Sequence, residues 1–119
     1  MKQRNPFDAV PIVAESVEAQ ADAHSLLYLR REIPAKGRIA NFMSRKLGLK
    51  SYIRANLDDK GTFFWKQIDG KRTLREIAEL LRREFSLSEQ ASRESTIAFT
   101  KMLMLRHLIH LDIGERKKP

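Results

Sequence analysis

The chain contains no cysteine. Disulfide scaffolding, thiolate catalysis and cysteine-based zinc sites are therefore excluded. No apolar run approaches the roughly 18 residues that a membrane-spanning helix needs. The first residues lack the apolar core of a signal peptide, so a cytoplasmic location and no membrane insertion are expected. Glycine is scarce, at 5 residues, and Asp69-Gly70-Lys71-Arg72-Thr73 lacks the spacing of a phosphate-binding loop. Acidic residues are the minority: 15 Asp+Glu against 23 Lys+Arg leave a net charge of +8. Such a surface suits nucleic acid, an anionic membrane or an acidic peptide. A length of 119 residues makes one domain with a modest core, and 42% hydrophobic against 32% charged residues is the balance of a soluble globular protein.

Residues 1–11 are polar, hold two prolines and show no period, so a flexible N-terminus is expected. Residues 12–113 read as a single domain and 114–119 as a basic tail. Within 12–20, Val13 and Val17 fall on one face of a half-buried strand, although a short helix fits the same composition. Residues 21–24 would turn the chain into a better strand at 25–33, with Leu27, Leu29, Arg31 and Ile33 on one face. Residues 34–37 break it. From 38 to 47, Ile39, Phe42, Met43 and Leu47 recur at helical spacing beside Arg38, Arg45 and Lys46. A basic amphipathic helix of this kind can lie on a membrane, but a single short one binds weakly, so it is expected to cover the sheet. Residues 51–57 alternate Tyr52, Arg54 and Asn56 with Ile53, Ala55 and Leu57, the pattern of a strand with one buried face.

The clearest local signals lie in 57–81. Asp58 is a natural N-cap, and Phe64, Trp65 and Ile68 share a helix face with Gly61 one turn before Trp65. A glycine inside a helix costs about 1 kcal/mol against alanine, so something large is expected to press on it. Asp69-Gly70 ends that helix. Thr73 with Glu76 forms a capping box for the next, whose buried stripe is Leu74, Ile77, Ala78, Leu80 and Leu81. After a link at 86–91, in which Ser88 can serve as N-cap, a last helix is expected over 92–109 and a short closing strand over 110–113. Phe99, Met102 and Leu103 make one apolar arc of that helix, and Ile97, Met104 and Leu108 a second. A helix apolar on two sides is sandwiched or offers one side to a partner. The fold class is α+β and winged-helix-like: a three-stranded antiparallel sheet followed by a three-helix bundle, with an extra amphipathic helix before the third strand. No repeat or low-complexity segment is present.

Catalysis has little support, because the carboxylates fall on helix surfaces among basic neighbours. His107 and His110 have no third ligand nearby in sequence, and Trp65 on an apolar helix face reads as core. No cofactor and no metal are implied. Strands followed by three helices also describe a winged-helix DNA-binding protein, with Arg93, Lys101, Arg106 and His107 facing the duplex. Against this, the last helix carries Ile97, Met104 and Leu108 where a base reader needs Arg, Asn or Gln. Methionine there suits a peptide, since it adapts to varied apolar side chains.

The run Leu57-Asp58, Gly61, Phe63, Trp65, then Asp69-Gly70-Lys71-Arg72-Thr73, Glu76-Ile77-Ala78 resembles the PqqD-like family, the pyrroloquinoline quinone biosynthesis protein D group. Its domain is also called the peptide-recognition element of ribosomally made, modified peptides (the RiPP recognition element). The resemblance is specific over 57–78 and looser from about 13 to 111. One departure is visible: the family often has Gly-Leu-Ile at the end of the last helix, where this chain has His107-Leu108-Ile109. The resemblance implies a non-enzymatic peptide chaperone. Such domains hold the leader of a precursor peptide and present it to a modifying enzyme, often a radical S-adenosylmethionine protein. The leader adds as a strand beside the third strand and against the last helix. The matching positions here are Ser51, Tyr52, Ile53, Arg54, Ala55 and Asn56 on the strand, and Arg93, Ile97, Thr100, Lys101 and Met104 on the helix. Backbone hydrogen bonds would supply affinity and side-chain pockets selectivity. The positive balance fits an acidic leader, through faster encounter. The plainer alternative is that Ile97 and Met104 pack against the amphipathic helix or a second copy of the chain.

Peptide and DNA partners separate on salt. A duplex reader loses affinity with a slope of roughly 0.9 per phosphate contact in log affinity against log salt. A peptide carrier should bind labelled duplex weakly and without sequence preference at both about 50 and about 200 mM salt, the range where that slope shows.

Overall fold

The computed structural model describes residues 5–33, 37–48 and 51–114. Its order is a 3-10 turn at Pro6–Asp8, β1 at Val10–Val13, β2 at Val17–Ala21 and β3 at Leu27–Ile33. Then come α1 at Arg38–Leu47, β4 at Ser51–Asn56, α2 at Asp59–Lys66, α3 at Leu74–Phe85, α4 at Glu89–Leu105 and β5 at Ile109–Asp112. The chain is α+β, with a three-stranded antiparallel sheet in the order β2-β3-β4 and a separate antiparallel pair, β1 with β5. Helix α1 stands between β3 and β4, as expected of the extra helix.

Capping chemistry sets the helix starts. Asp58 accepts from the Gly61 N–H at 2.8 Å. Thr73 and Glu76 close a reciprocal capping box before α3, at 3.2 and 2.9 Å. The Ser88 hydroxyl accepts from the Ala91 N–H at 3.0 Å, so α4 begins at Glu89, earlier than residue 92. The core gathers Leu29 and Ala55 from the sheet, Leu57 and Phe64 around α2, Leu74 and Ile77 from α3, and Leu103, Leu108 and Ile109 from the chain end. The large group pressing on Gly61 is Phe99: a Cβ there would stand 3.2 Å from its ring. That ring also packs on Phe64, with centroids 5.4 Å apart.

Several expectations are corrected. The single strand over 12–20 is two strands in two sheets, because Ser16 takes a left-handed conformation (φ 67) and turns the chain between them. From Asn5 the start makes packed contacts: Asn5 caps the 3-10 turn, Ala9 and Pro11 are buried, and the Ala9 carbonyl accepts from the Leu74 N–H at 2.9 Å. Residues 1–4 and 115–119, which include most of the expected tail, lie outside the described residues, as do 34–36 and 49–50. The hairpin turn reaches Leu26, because the Asp22 carboxylate accepts from the His24 and Leu26 N–H groups at 2.8 and 3.0 Å. Those bonds hold its pKa below the usual carboxylate value. Helix α1 does not cover the sheet: Ile39 is 79% exposed, and Phe42, Met43 and Leu47 also face solvent.

Helix α4 ends at Leu105, short of residue 109, and His107 is the reason. It adopts φ 57. The Leu108 N–H then reaches the Leu103 carbonyl at 2.9 Å, and the His107 N–H the Met104 carbonyl at 3.0 Å. This paired closure usually places glycine at the left-handed position. The freed chain enters β5, whose Ile109 pairs with Val13 of β1. A side chain in the left-handed region is strained. His107→Gly should therefore raise stability by about 0.5–1 kcal/mol, read as a higher midpoint in urea unfolding. An unchanged or lower midpoint would mean that the histidine side chain stabilises the turn.

Candidate functional site

The site begins with a strand that has one partner. The Leu57 N–H donates to the Leu27 carbonyl at 2.9 Å, at the end of the β3–β4 register. Hydrogen-bonded residues alternate along an antiparallel pair. Ala55, Ile53 and Ser51 therefore turn their backbone groups toward β3. Tyr52, Arg54 and Asn56 turn theirs away, and among the described residues no strand pairs with that edge. The Leu27 N–H is held by the Thr62 hydroxyl of α2 at 2.9 Å, which fixes the sheet end against the helix layer. Among the described residues β2 has an unpaired edge too, and like β4 it makes its substantial contacts with β3. What marks β4 is a side chain of the last helix laid on its edge.

Helix α4 reaches the β4 edge through its C-terminal end. Arg106, its C-cap residue, donates from Nη1 to the Arg54 carbonyl at 2.6 Å. A second arginine fastens the same end from below: Arg31, on the core face of β3, donates to the His107 carbonyl at 2.6 Å. Cations suit the carbonyl-rich end of a helix, where its dipole is negative. At 3.6 residues per turn, Ser92, Thr96, Thr100 and Leu103 form the buried line of α4. Half-buried Ser95, Phe99 and Met102 lie to one side of that line, with Arg106. Contacts to Gly61 and Arg54 identify this as the side toward α2 and β4. Ala98 and Leu105 continue it outward, and Leu105 is 72% exposed.

The expected site residues thus divide. Tyr52, Arg54 and Asn56 are on the open edge. Ser51, Ile53 and Ala55 pair inward, and Ala55 is buried. Thr100 is buried, and its Oγ1, like that of Thr96, has no hydrogen-bond partner among the described residues. Arg93, Ile97, Lys101 and Met104 are exposed on the opposite flank of α4. Arg93 pairs with Glu89 at 3.2 Å and lines a concavity with Phe7, Arg75, Glu79 and Arg82. That concavity is charge-balanced. Arg75 meets Asp8 at 2.6 Å, and Arg82 meets Glu79 at 2.6 Å. The hydrogen bonds from Arg82 push the Glu79 pKa down to about 2, so it stays ionised at neutral pH. The structure therefore brings Arg106 to the β4 edge, with Met102 and Leu105 on the same flank of α4, the first packed against the core and the second exposed. The sequence reading left these residues out of the site. The apolar Leu105 following Met102 and Met104 could be read from the sequence; the reach of Arg106 across 52 positions to Arg54 could not.

The outer face of the sheet is cationic and aromatic. The Arg30 guanidinium lies 4.6 Å and that of Arg54 5.6 Å from the centre of the Tyr52 ring. Arg30 also pairs with Glu18 at 2.7 Å, which offsets the like charges of Arg30 and Arg54 directly across the ladder. Among the described residues no cluster of three His, Asp or Glu could hold a metal, and no helix is long and apolar enough to cross a membrane.

Compared with known proteins, the chain matches one family model, described as Coenzyme PQQ synthesis protein D (PqqD), over residues 47–109. No curated protein and no solved structure matches it. The matched span contains β4, α2, α3 and α4 whole.

Exposure separates surface from core on α4. Met104, 40% exposed, should accept Met104→Glu with a change in stability within about 0.5 kcal/mol, as surface positions do. Phe99→Ala should lose about 2–4 kcal/mol, because its ring fills the space over Gly61 and Phe64. Thermal melting of the two variants checks both. Unfolding by Met104→Glu would place that side chain in a packed interface.

Proposed function

Because the chain belongs to the PqqD family, we propose that it is a non-catalytic peptide carrier, which binds a precursor's leader along the open edge of β4 and presents it to a modifying enzyme. The observation that carries this reading is the outward row of backbone groups at Tyr52, Arg54 and Asn56, tied through the Arg106–Arg54 hydrogen bond to the flank of α4 that carries Met102 and Leu105. Strand addition needs both parts. The edge supplies N–H and C=O groups without demanding a particular sequence, and the neighbouring side chains choose among peptides. Tyr52 and Arg54 give the edge a cationic, aromatic outer rim.

A carrier must touch peptide and enzyme together, so two surfaces are required. The flank of α4 toward β4 takes the peptide. The opposite flank, with Ile97 and Met104 exposed and Arg93 and Lys101 beside them, is offered to the enzyme, a radical S-adenosylmethionine protein in the usual pairing. The strong charge of +8 speeds encounter with acidic leaders and acidic protein surfaces. The winged-helix likeness is here a scaffold for peptide addition, with β4 as the docking strand.

Backbone substitution tests the edge directly. Proline is tolerated on an edge strand where its missing N–H faces solvent. Arg54→Pro should therefore fold, at a cost of about 1 kcal/mol, yet lose at least roughly tenfold in affinity for an acidic leader peptide, one backbone hydrogen bond and its register. Leu105→Glu should weaken the same binding by about 1–3 kcal/mol, whereas Met104→Glu leaves it unchanged. Titration of the three variants by calorimetry decides the matter. Full affinity in folded Arg54→Pro would remove β4 from the site.

A further inference from the structure

The open edge of β4 is already occupied at its centre. Of the three residues that turn their backbone outward, Arg54 is the middle one, and its carbonyl accepts the Arg106 guanidinium at 2.6 Å. A peptide adding as a strand needs that same acceptor for its own N–H. Arg106 must then share the carbonyl or swing away. Its backbone is pinned at the α4 C-cap, where its N–H bonds the Met102 and Met104 carbonyls. The side chain alone can move, and wherever it moves it remains beside the incoming strand.

We propose, on the footing of the peptide-carrier reading, that Arg106 is a selectivity latch: it caps the β4 edge in the free protein and yields to extended peptides that carry a carboxylate on the face turned toward α4. The exchange is chemically balanced. The free state holds a charge-assisted bond from guanidinium to carbonyl. A neutral peptide replaces it by an ordinary amide bond and leaves the guanidinium without an anion. A peptide with Asp or Glu restores a charged partner, and a carboxylate can take two guanidinium N–H groups at once. Along a paired strand, side chains alternate between faces. The residue opposite Arg54 shares the outer face with Tyr28 and Arg30 of β3, and the residues flanking it face α4. One of these flanking positions meets Arg106. The other is assigned to the exposed Leu105 of the same helix end. The peptide class is therefore an extended segment with a carboxylate two residues from an aliphatic side chain.

The latch has a second consequence. An unpaired strand edge invites pairing with other chains, and a charged side chain laid across it blunts that risk. Arg106 guards the edge against neutral strands and opens it to acidic ones. This is selection by a repulsive as well as an attractive element.

Two synthetic peptides test the inference, each with threonine alternating with leucine about one central position on the leucine face. One carries glutamate at that position and the other glutamine. Amide NMR shifts of Tyr52, Arg54 and Asn56 report binding to the edge in the full chain. The wild-type protein should favour the glutamate peptide by about fivefold or more, the size of a charge-assisted bond partly exposed to solvent. Arg106→Ala should erase that preference by binding the glutamine peptide more tightly and the glutamate peptide more weakly. Arg106→Lys, which keeps the charge, should retain part of it. An unchanged preference in Arg106→Ala, with the edge amides still shifting, overturns the latch and leaves the carrier reading standing. If neither peptide moves those amides in any variant, the docking edge itself is refuted and the latch with it.

Discussion

A β-strand has two rows of backbone hydrogen-bonding groups, and among the described residues only one row of β4 is paired with another strand. Its inward row is committed to β3 through the register that ends at Leu57 and Leu27. Directly after, Asp58 caps α2 and Gly61 admits the Phe99 ring of α4. The strand therefore cannot slide: a shift of one residue would reverse its faces and expel Ala55 and Leu57 from the core. The outward row is left rigidly presented. A fixed row of amides is a better docking edge than a flexible one, because less conformational entropy is lost when a partner is ordered on it.

The last helix completes the arrangement by being different on each flank. Its buried line is made of small hydroxyl residues and Leu103, which lets it pack closely on α3. The Ser92 hydroxyl there donates to the Ala78 carbonyl. The flank toward β4 carries Met102, Leu105 and Arg106, and the other carries Ile97 and Met104. Met102 packs against the core, whereas Leu105, Ile97 and Met104 are exposed. Two arginines from opposite layers secure the helix end: Arg106 reaches up to β4, and Arg31 reaches from β3. This end of α4 is thus held from both layers, and it is where His107 takes the left-handed conformation that glycine usually supplies.

Much of this was legible in the sequence for local reasons. Asp58, Thr73 with Glu76, and Ser88 are capping signals within three residues of the amides that they serve, and all three cap in the structure. The alternation in 51–57 named the β4 faces correctly, and the glycine at 61 announced a close neighbour. What escaped depends on distant partners. Nothing in 12–20 shows that its first half pairs with residues near 110, whereas Ser16 turns the second half into another sheet. The apolar periodicity of 38–47 gave the helix but not what covers it. The two arcs of α4 were visible, yet which of them meets β4 is decided by the rotation of the helix in the packed domain. Phe99 on Gly61 sets that rotation, and it turns Ile97 and Met104 away from the strand.

The central claim is that the outward amides of β4, paired with no strand among the described residues, become paired when a peptide is carried. Residue-resolved hydrogen exchange measures this directly. In the free protein the amides of Tyr52, Arg54 and Asn56 should exchange quickly, while those of Ile53, Ala55 and Leu57, bonded to β3, exchange slowly. With the glutamate-bearing threonine–leucine peptide in excess, the first set should slow toward the second, and amides on the exposed Ile97–Met104 flank of α4 should not change. Slow exchange of Arg54 before any peptide is added, or protection that appears only on that far flank, would contradict the account.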